Sequence, residues 1–90
     1  MAEINHIKAK IVEIAQSPKN VTLSDIEWVV NQLGKHGYDT ASRQGTHGKL
    51  FRVGGQRFMV SGHNPGGKQV KSYAVSDFMN AMTELGLYEE

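Results

Sequence analysis

Two short runs of strand-forming residues, Lys49–Val53 and Gln56–Ser61, meet at Gly54-Gly55, and no other feature restricts the fold of this chain as tightly. A two-residue glycine loop between such runs signals a hairpin with a primed turn, because both loop residues can take positive φ and follow the twist of the strands. The short loop also sets the register, placing Phe51 opposite Phe58 and Arg52 opposite Arg57. Phe51, Phe58, Val53 and Val60 are then expected on the buried face, with Arg52, Arg57, Leu50 and Met59 on the other. A one-residue slip would exchange the faces, and Leu50 is apolar enough to be the buried member in that case. Tyr38–Arg43 reads as a weaker first strand of the same antiparallel sheet.

On either side of the strands the apolar period changes to that of a helix. Ile4, Ile7, Ile11 and Ile14 predict a helix over residues 4–16, ended by Ser17-Pro18. A second helix is expected from Asp25, with Ser24 as N-cap, Glu27 closing a capping box and Leu23 stapled against Trp28. Ile26, Val29, Val30 and Leu33 form its apolar stripe, and Gly34 and Gly37 supply a left-handed stop. Val75, Phe78, Met79, Met82 and Leu85 mark a third helix that starts after Ser72 and stops at Gly86, preceded by the glycine-rich basic loop from His63 to Lys71. The order is α-α-β-β-β-α: an α+β domain of two layers, helices gathered on one face of a three-stranded antiparallel sheet and the other face open to solvent. With no repeat, linker or low-complexity segment, residues 1–90 read as a single domain, of which 1–18 carry an additional N-terminal helix.

A chain of 90 residues hides only about 60–65% of its unfolded surface, which disfavours a deep enclosed cofactor site. The absence of cysteine rules out a disulfide frame, a thiolate nucleophile and a zinc ribbon, and the four histidines have no close pair. No apolar run approaches the length of a membrane span and the charged start lacks a signal-peptide core, so a soluble cytoplasmic protein with no membrane partner is expected. Net charge is only +1, but the signs are segregated. Between Asp39 and Asp77 lie Arg43, Lys49, Arg52, Arg57, Lys68 and Lys71, six of the ten bases, and none of the nine acids. Such a segment attracts polyanions and suits contact with several phosphates; chance segregation in a small domain is the plainer reading.

Within that segment His47 is the candidate catalytic group, since an imidazole with an ordinary pKa near ~6.5 offers both protonation states at neutral pH. RNA carries its own nucleophile: removal of the 2′-hydroxyl proton lets that oxygen attack the adjacent phosphate, giving a cyclic phosphate and a free 5′-hydroxyl. Arg43 and Lys49 are expected to hold the growing phosphate charge. Residues 40–76 contain no carboxylate with which to hold a magnesium ion, so no metal and no cofactor is expected. Taken without further context, His47 is a surface histidine at a strand start. His63 reads as a phosphate contact, as a second catalytic group, or as a polar residue closing a strand. Lys68 and Lys71 precede a helix whose N-terminal amides also favour anions. Gly45 and Gly48 permit close approach of backbone to a phosphate, or are turn residues. Arg52 and Arg57 repel one another across the hairpin unless an anion or acidic partner lies over them or the side chains splay into water. Met59, Met79 and Met82 read as packing, Trp28 as core or staple, and His6 and His36 as exposed helix positions.

Arg43-Gln44-Gly45-Thr46-His47 followed by a hairpin, His63 after the third strand, then Gly67-Lys68 and Tyr73-Ala74-Val75 opening a helix, resembles the HicA family of toxin ribonucleases. The likeness runs from about Asn20 to Leu85 and includes the Pro18-Lys19-Asn20-Val21 lead-in and the Leu33…Gly37-Tyr38 helix end. It implies a fold similar to double-stranded-RNA-binding domains, cleavage of mRNA through the single histidine His47 with Gly45 and Thr46 in support, and neutralisation by a HicB-type antitoxin. Thr46 keeps the hydroxyl where the family pattern has serine, and Ser61-Gly62 stands where it usually has proline. Phosphate contact in this reading falls to Arg43, Lys49, Arg52, Arg57, His63, Lys68 and Lys71. The alternatives are a non-catalytic RNA-binding module on the same fold, and a domain whose basic stretch meets an acidic protein.

Overall fold

The isoleucines of the N-terminal segment sit at three- and four-residue steps, and in the computed structural model, which describes residues 3–45, 48–61 and 70–88, Ile7, Ile11 and Ile14 form the buried stripe of α1 (Ile4–Gln16), with Ile4 half-buried at its end. Ile7 and Ile11 have no exposed surface. This helix is therefore part of the one core cluster rather than an appendage to it. Proline in the next turn ends it, and Pro18–Asn20 form a short 3₁₀ turn.

The following helix, α2 (Leu23–Lys35), starts two residues earlier than the Ser24 pattern predicts. Thr22 is the N-cap: its Oγ1 accepts the Asp25 N–H at 3.2 Å, and the Asp25 carboxylate accepts the Thr22 N–H at 2.9 Å. Both Thr22-x-x-Asp25 and Ser24-x-x-Glu27 satisfy the local rule, so tertiary packing decides between them. Starting at Thr22 puts Val21 and Ile26 in the staple positions, and both are buried, whereas Leu23 and Trp28 are only half-buried. It also brings Asp25 to Lys10 of α1, with Nζ and Oδ1 3.1 Å apart.

At its other end α2 closes on Gly37, φ +95°, with the Tyr38 N–H bonded to the Leu33 carbonyl and the Gly37 N–H to the Gly34 carbonyl. Gly34 is not part of the left-handed stop. It lies inside the helix, where a Cβ would stand 2.7 Å from Thr40 Oγ1, so its role is to let β1 approach. His36 is the C-cap residue and half-buried, in place of the exposed helical position expected.

Because Tyr38 belongs to that closure, β1 begins later than its composition suggests, at Thr40–Gln44. It pairs with β2 (Gly48–Val53), which pairs with β3 (Gln56–Ser61), in the order β1-β2-β3, all antiparallel. Gly54 and Gly55 have φ +55° and +95°, the two positive values a primed turn requires. The register is the expected one: Phe51↔Phe58, Arg52↔Arg57 and Leu50↔Met59.

Phe51, Val53, Phe58 and Val60 face the helices and join the core. Phe51 stacks on Phe58 with centroids 5.3 Å apart, and Phe58 meets Phe78 of α3 (Ser72–Glu84) edge to face at 5.5 Å. The α3 helix ends at Gly86 in the manner of α2, its Leu87 N–H bonded to the Met82 carbonyl. All three helices thus share one core with one face of the sheet, and none of the described helices is long and apolar enough to cross a membrane.

Candidate functional site

Alternation along the strands divides the cationic residues of the middle segment between two faces. On β2, Phe51 and Val53 point to the core, so Leu50 and Arg52 point outward. On β3 the outward residues are Arg57 and Met59, and on β1, by pairing, Ala41 and Arg43. The open face is therefore two cross-strand rows, Arg43–Leu50–Met59 and Ala41–Arg52–Arg57. Leu50 is 42% exposed and Met59 47%. Met59 is not packing, unlike Met82, which is fully buried.

Lys49 is the basic residue that alternation removes from this group. It lies on the helix-facing side of β2, where Nζ pairs with Glu27 of α2 at 2.5 Å and stands 5.5 Å from the centre of the Phe51 ring. Glu27, freed from capping by the earlier helix start, holds Lys49 against the body of the domain instead. To meet a phosphate Lys49 would have to leave a half-buried ion pair.

The three arginines of the open face differ in their partners. Arg52 reaches Asp39 with one terminal nitrogen, 3.4 Å from each carboxylate oxygen, a long contact between exposed groups. Its Nε is buried and has no hydrogen-bond partner. Arg43 and Arg57 have no ion pair among the described residues, and both are exposed. Lys71 is exposed at the N-cap of α3, which has no side-chain cap. Just before it, the Val70 N–H bonds to the Val21 carbonyl at 2.8 Å and ties the start of α3 to the start of α2.

The corner between β1 and β2 is described on both sides of residues 46 and 47. Gln44 pairs with Lys49, the Gly45 N–H donates to the Gly48 carbonyl at 2.7 Å, and Gln44 Nε2 lies 3.3 Å and 3.4 Å from the carbonyls of Gly45 and Gly48. A Cβ at Gly45 would stand 3.3 Å from the Gly48 carbonyl oxygen, so this glycine serves a tight closure of backbone on backbone. Thr46 and His47 themselves, and His63 and Lys68, lie outside the described residues.

Two acidic residues that govern the cations are invisible to local sequence rules. Glu27 is 22 positions from Lys49 and Asp39 is 13 from Arg52. Asp39 had one available signal, since it is the acid that borders the acid-free stretch and directly precedes β1. His6, an exposed residue as expected, packs edge-on against Trp28 with centroids 5.5 Å apart.

Together these features define a small α+β domain with a cationic sheet face that no described helix covers, centred on two aliphatic side chains. Comparison with protein-family models, with curated proteins and with solved structures gives no match.

Proposed function

We propose that this protein is a metal-independent endoribonuclease of the HicA type, on a fold of the double-stranded-RNA-binding kind, with His47 as its catalytic group. The observation that carries the reading is the segregation of charge onto the open face. Arg43, Arg52 and Arg57 stand on the side of the sheet that no described helix covers, and its strands contain no carboxylate, an arrangement suited to a polyanion. Gly45 and Gly48, which flank Thr46 and His47 in the sequence, close on one another at the end of the strand that carries Arg43.

In this mechanism the His47 imidazole takes the proton of a ribose 2′-hydroxyl. The freed oxygen bonds to the adjacent phosphorus, and the bond to the 5′ oxygen breaks. The leaving 5′ oxygen takes up a proton from water, and the products are a 2′,3′-cyclic phosphate and a 5′-hydroxyl. Arg43 stabilises the charge gathering on the phosphoryl oxygens, a task for which a guanidinium is well shaped. His63, Lys68 and Lys71 contribute phosphate contacts, and Lys49 positions β2 through Glu27. Cytoplasmic mRNA is the substrate, and a HicB-type antitoxin with an acidic surface silences the enzyme by covering the cationic face.

The test is parallel expression of the native chain and His47→Gln, with transcript ends mapped, followed by cleavage assays on purified protein in excess EDTA. The expected result is growth arrest and cyclic-phosphate ends with the native chain alone, unaffected by chelation. Equal behaviour of the two chains with RNA still bound would make the protein a non-catalytic RNA-binding module. Loss of activity in EDTA would refute the mechanism.

A further inference from the structure

Lys49 faces the core, so the open face is left with three guanidinium groups around an exposed aliphatic pair. We propose that this face seats a single RNA strand: a phosphate between Arg52 and Arg57, a base on Leu50 and Met59, and Asp39 competing with the phosphate for Arg52. This rests on the RNA-cleaving reading and adds to it a base seat and an opposing carboxylate.

Arg52 and Arg57 occupy directly opposed positions, an arrangement that costs stability unless an anion lies over it or the side chains splay into water. Neither is well satisfied. Arg57 has no ion pair among the described residues, and the 3.4 Å contact of Arg52 with Asp39 leaves its Nε–H buried without an acceptor. A phosphate offers two oxygens to a guanidinium, the geometry arginine favours, and it competes for Arg52 against a carboxylate that is itself 78% exposed and weakly held.

The size of the face selects the ligand. Three strands of five or six residues make a surface of about 14 by 18 Å, roughly 250 Å². A standard protein interface needs about 800 Å² from each partner, so a protein that covers this face must also hold surface well beyond it. A duplex is read over about 16 base pairs, across two successive minor grooves, which this face is too short to bridge. A single strand needs only a narrow strip with alternate charged and apolar contacts, and the rows Arg43–Leu50–Met59 and Ala41–Arg52–Arg57 supply that.

The test measures binding of a short labelled oligouridylate across a salt series, on a His47→Gln background so that the strand is not consumed, with thermal melts showing that each variant is folded. Arg57→Gln is expected to weaken binding and to flatten the log–log salt slope by about 0.7, one single-strand phosphate contact. Leu50→Ser with Met59→Ser weakens binding about fivefold, what about 40 Å² of lost apolar contact at about 25 cal/mol per Å² amounts to, and leaves the slope unchanged. Asp39→Asn, which removes the competitor, tightens binding about threefold, a gain that a purely structural role for the Asp39–Arg52 pair would not produce. Unchanged or weaker binding in Asp39→Asn, or indifference to the Leu50 and Met59 changes, overturns the proposal. So does polyglutamate binding with the same dependence while oligouridylate fails to bind. Cleavage by the native chain is scored separately: cleavage without these effects removes the seat and keeps the enzyme, whereas these effects without cleavage keep the seat and remove the enzyme.

Discussion

Replacing Asp25 with asparagine tests how α1 is fastened to α2. The Asp25 carboxylate accepts the Thr22 N–H at 2.9 Å through one oxygen and stands 3.1 Å from Lys10 Nζ through the other. Burial alone would raise its pKa, but the hydrogen bonds from the Thr22 N–H and from Lys10, with the charge of Lys10, outweigh burial and hold it below the ordinary 3.8. Lys10 is pushed the opposite way, above 10.5, chiefly by its hydrogen bond to Asp25, against the opposing effect of burial. Asparagine keeps an acceptor for Thr22 and loses the charge. The charged hydrogen bond reverts to an ordinary one, and an ion pair of the 0.2–1 kcal/mol class disappears, together about 1 kcal/mol. For a domain of this size that corresponds to about 4–8 °C in Tm. A carboxyl whose folded pKa is lowered contributes fully above its unfolded value, and the contribution is lost as pH falls through the lower folded value. Urea titrations followed by circular dichroism are therefore expected to show the native chain more stable than Asp25→Asn at pH 7 and equal to it near pH 2. Lys10→Met is expected to reproduce the ion-pair part of the loss, so that Asp25→Asn on that background costs only what the weaker hydrogen bond to the Thr22 N–H accounts for. Equal stability at pH 7, or a difference that survives in acid, would refute this account.

Glu27→Gln leaves the half-buried Lys49 charge without its partner and is expected to cost about 1 kcal/mol; in the cycle with Lys49→Met the two changes together should cost less than their sum. Gly34→Ala, a change that ordinarily stabilises a helix by about 1 kcal/mol, is expected here to destabilise, because the new methyl meets Thr40 Oγ1 at 2.7 Å. In a Thr40→Ala background the sign should reverse, and urea midpoints of the four proteins check it.

Much of the architecture can be read residue by residue, for reasons that act over a few positions. The isoleucine spacing in 4–16 defines α1, because no other backbone puts those four side chains on one side. Gly54-Gly55 defines the hairpin and its register, because few turns join strands over two residues. The start of α2 is misread because two capping patterns overlap by two residues, and the local rule does not rank them. What ranks them is the burial of Val21 and Ile26 and the arrival of Lys10 at Asp25, contacts between segments that the local pattern does not contain. Gly34 is misread for a similar reason, since its environment is a threonine from the adjacent strand.

The candidate site shows the same division. Sequence alone determines that a stretch of this chain is cationic and free of acids, that it contains a hairpin, and that Arg52 meets Arg57 across it, because these follow from composition, turn length and the two-residue period of a strand. Only the tertiary structure decides which of those cations remain available. Packing of α2 against β2 brings Glu27 to Lys49, the turn of chain into β1 brings Asp39 to Arg52, and Arg43 and Arg57 are left on a face that no described helix covers. Charge is a property of each residue, whereas pairing depends on which distant residue the core brings within a few ångströms, and the apolar residues that build the core set that distance.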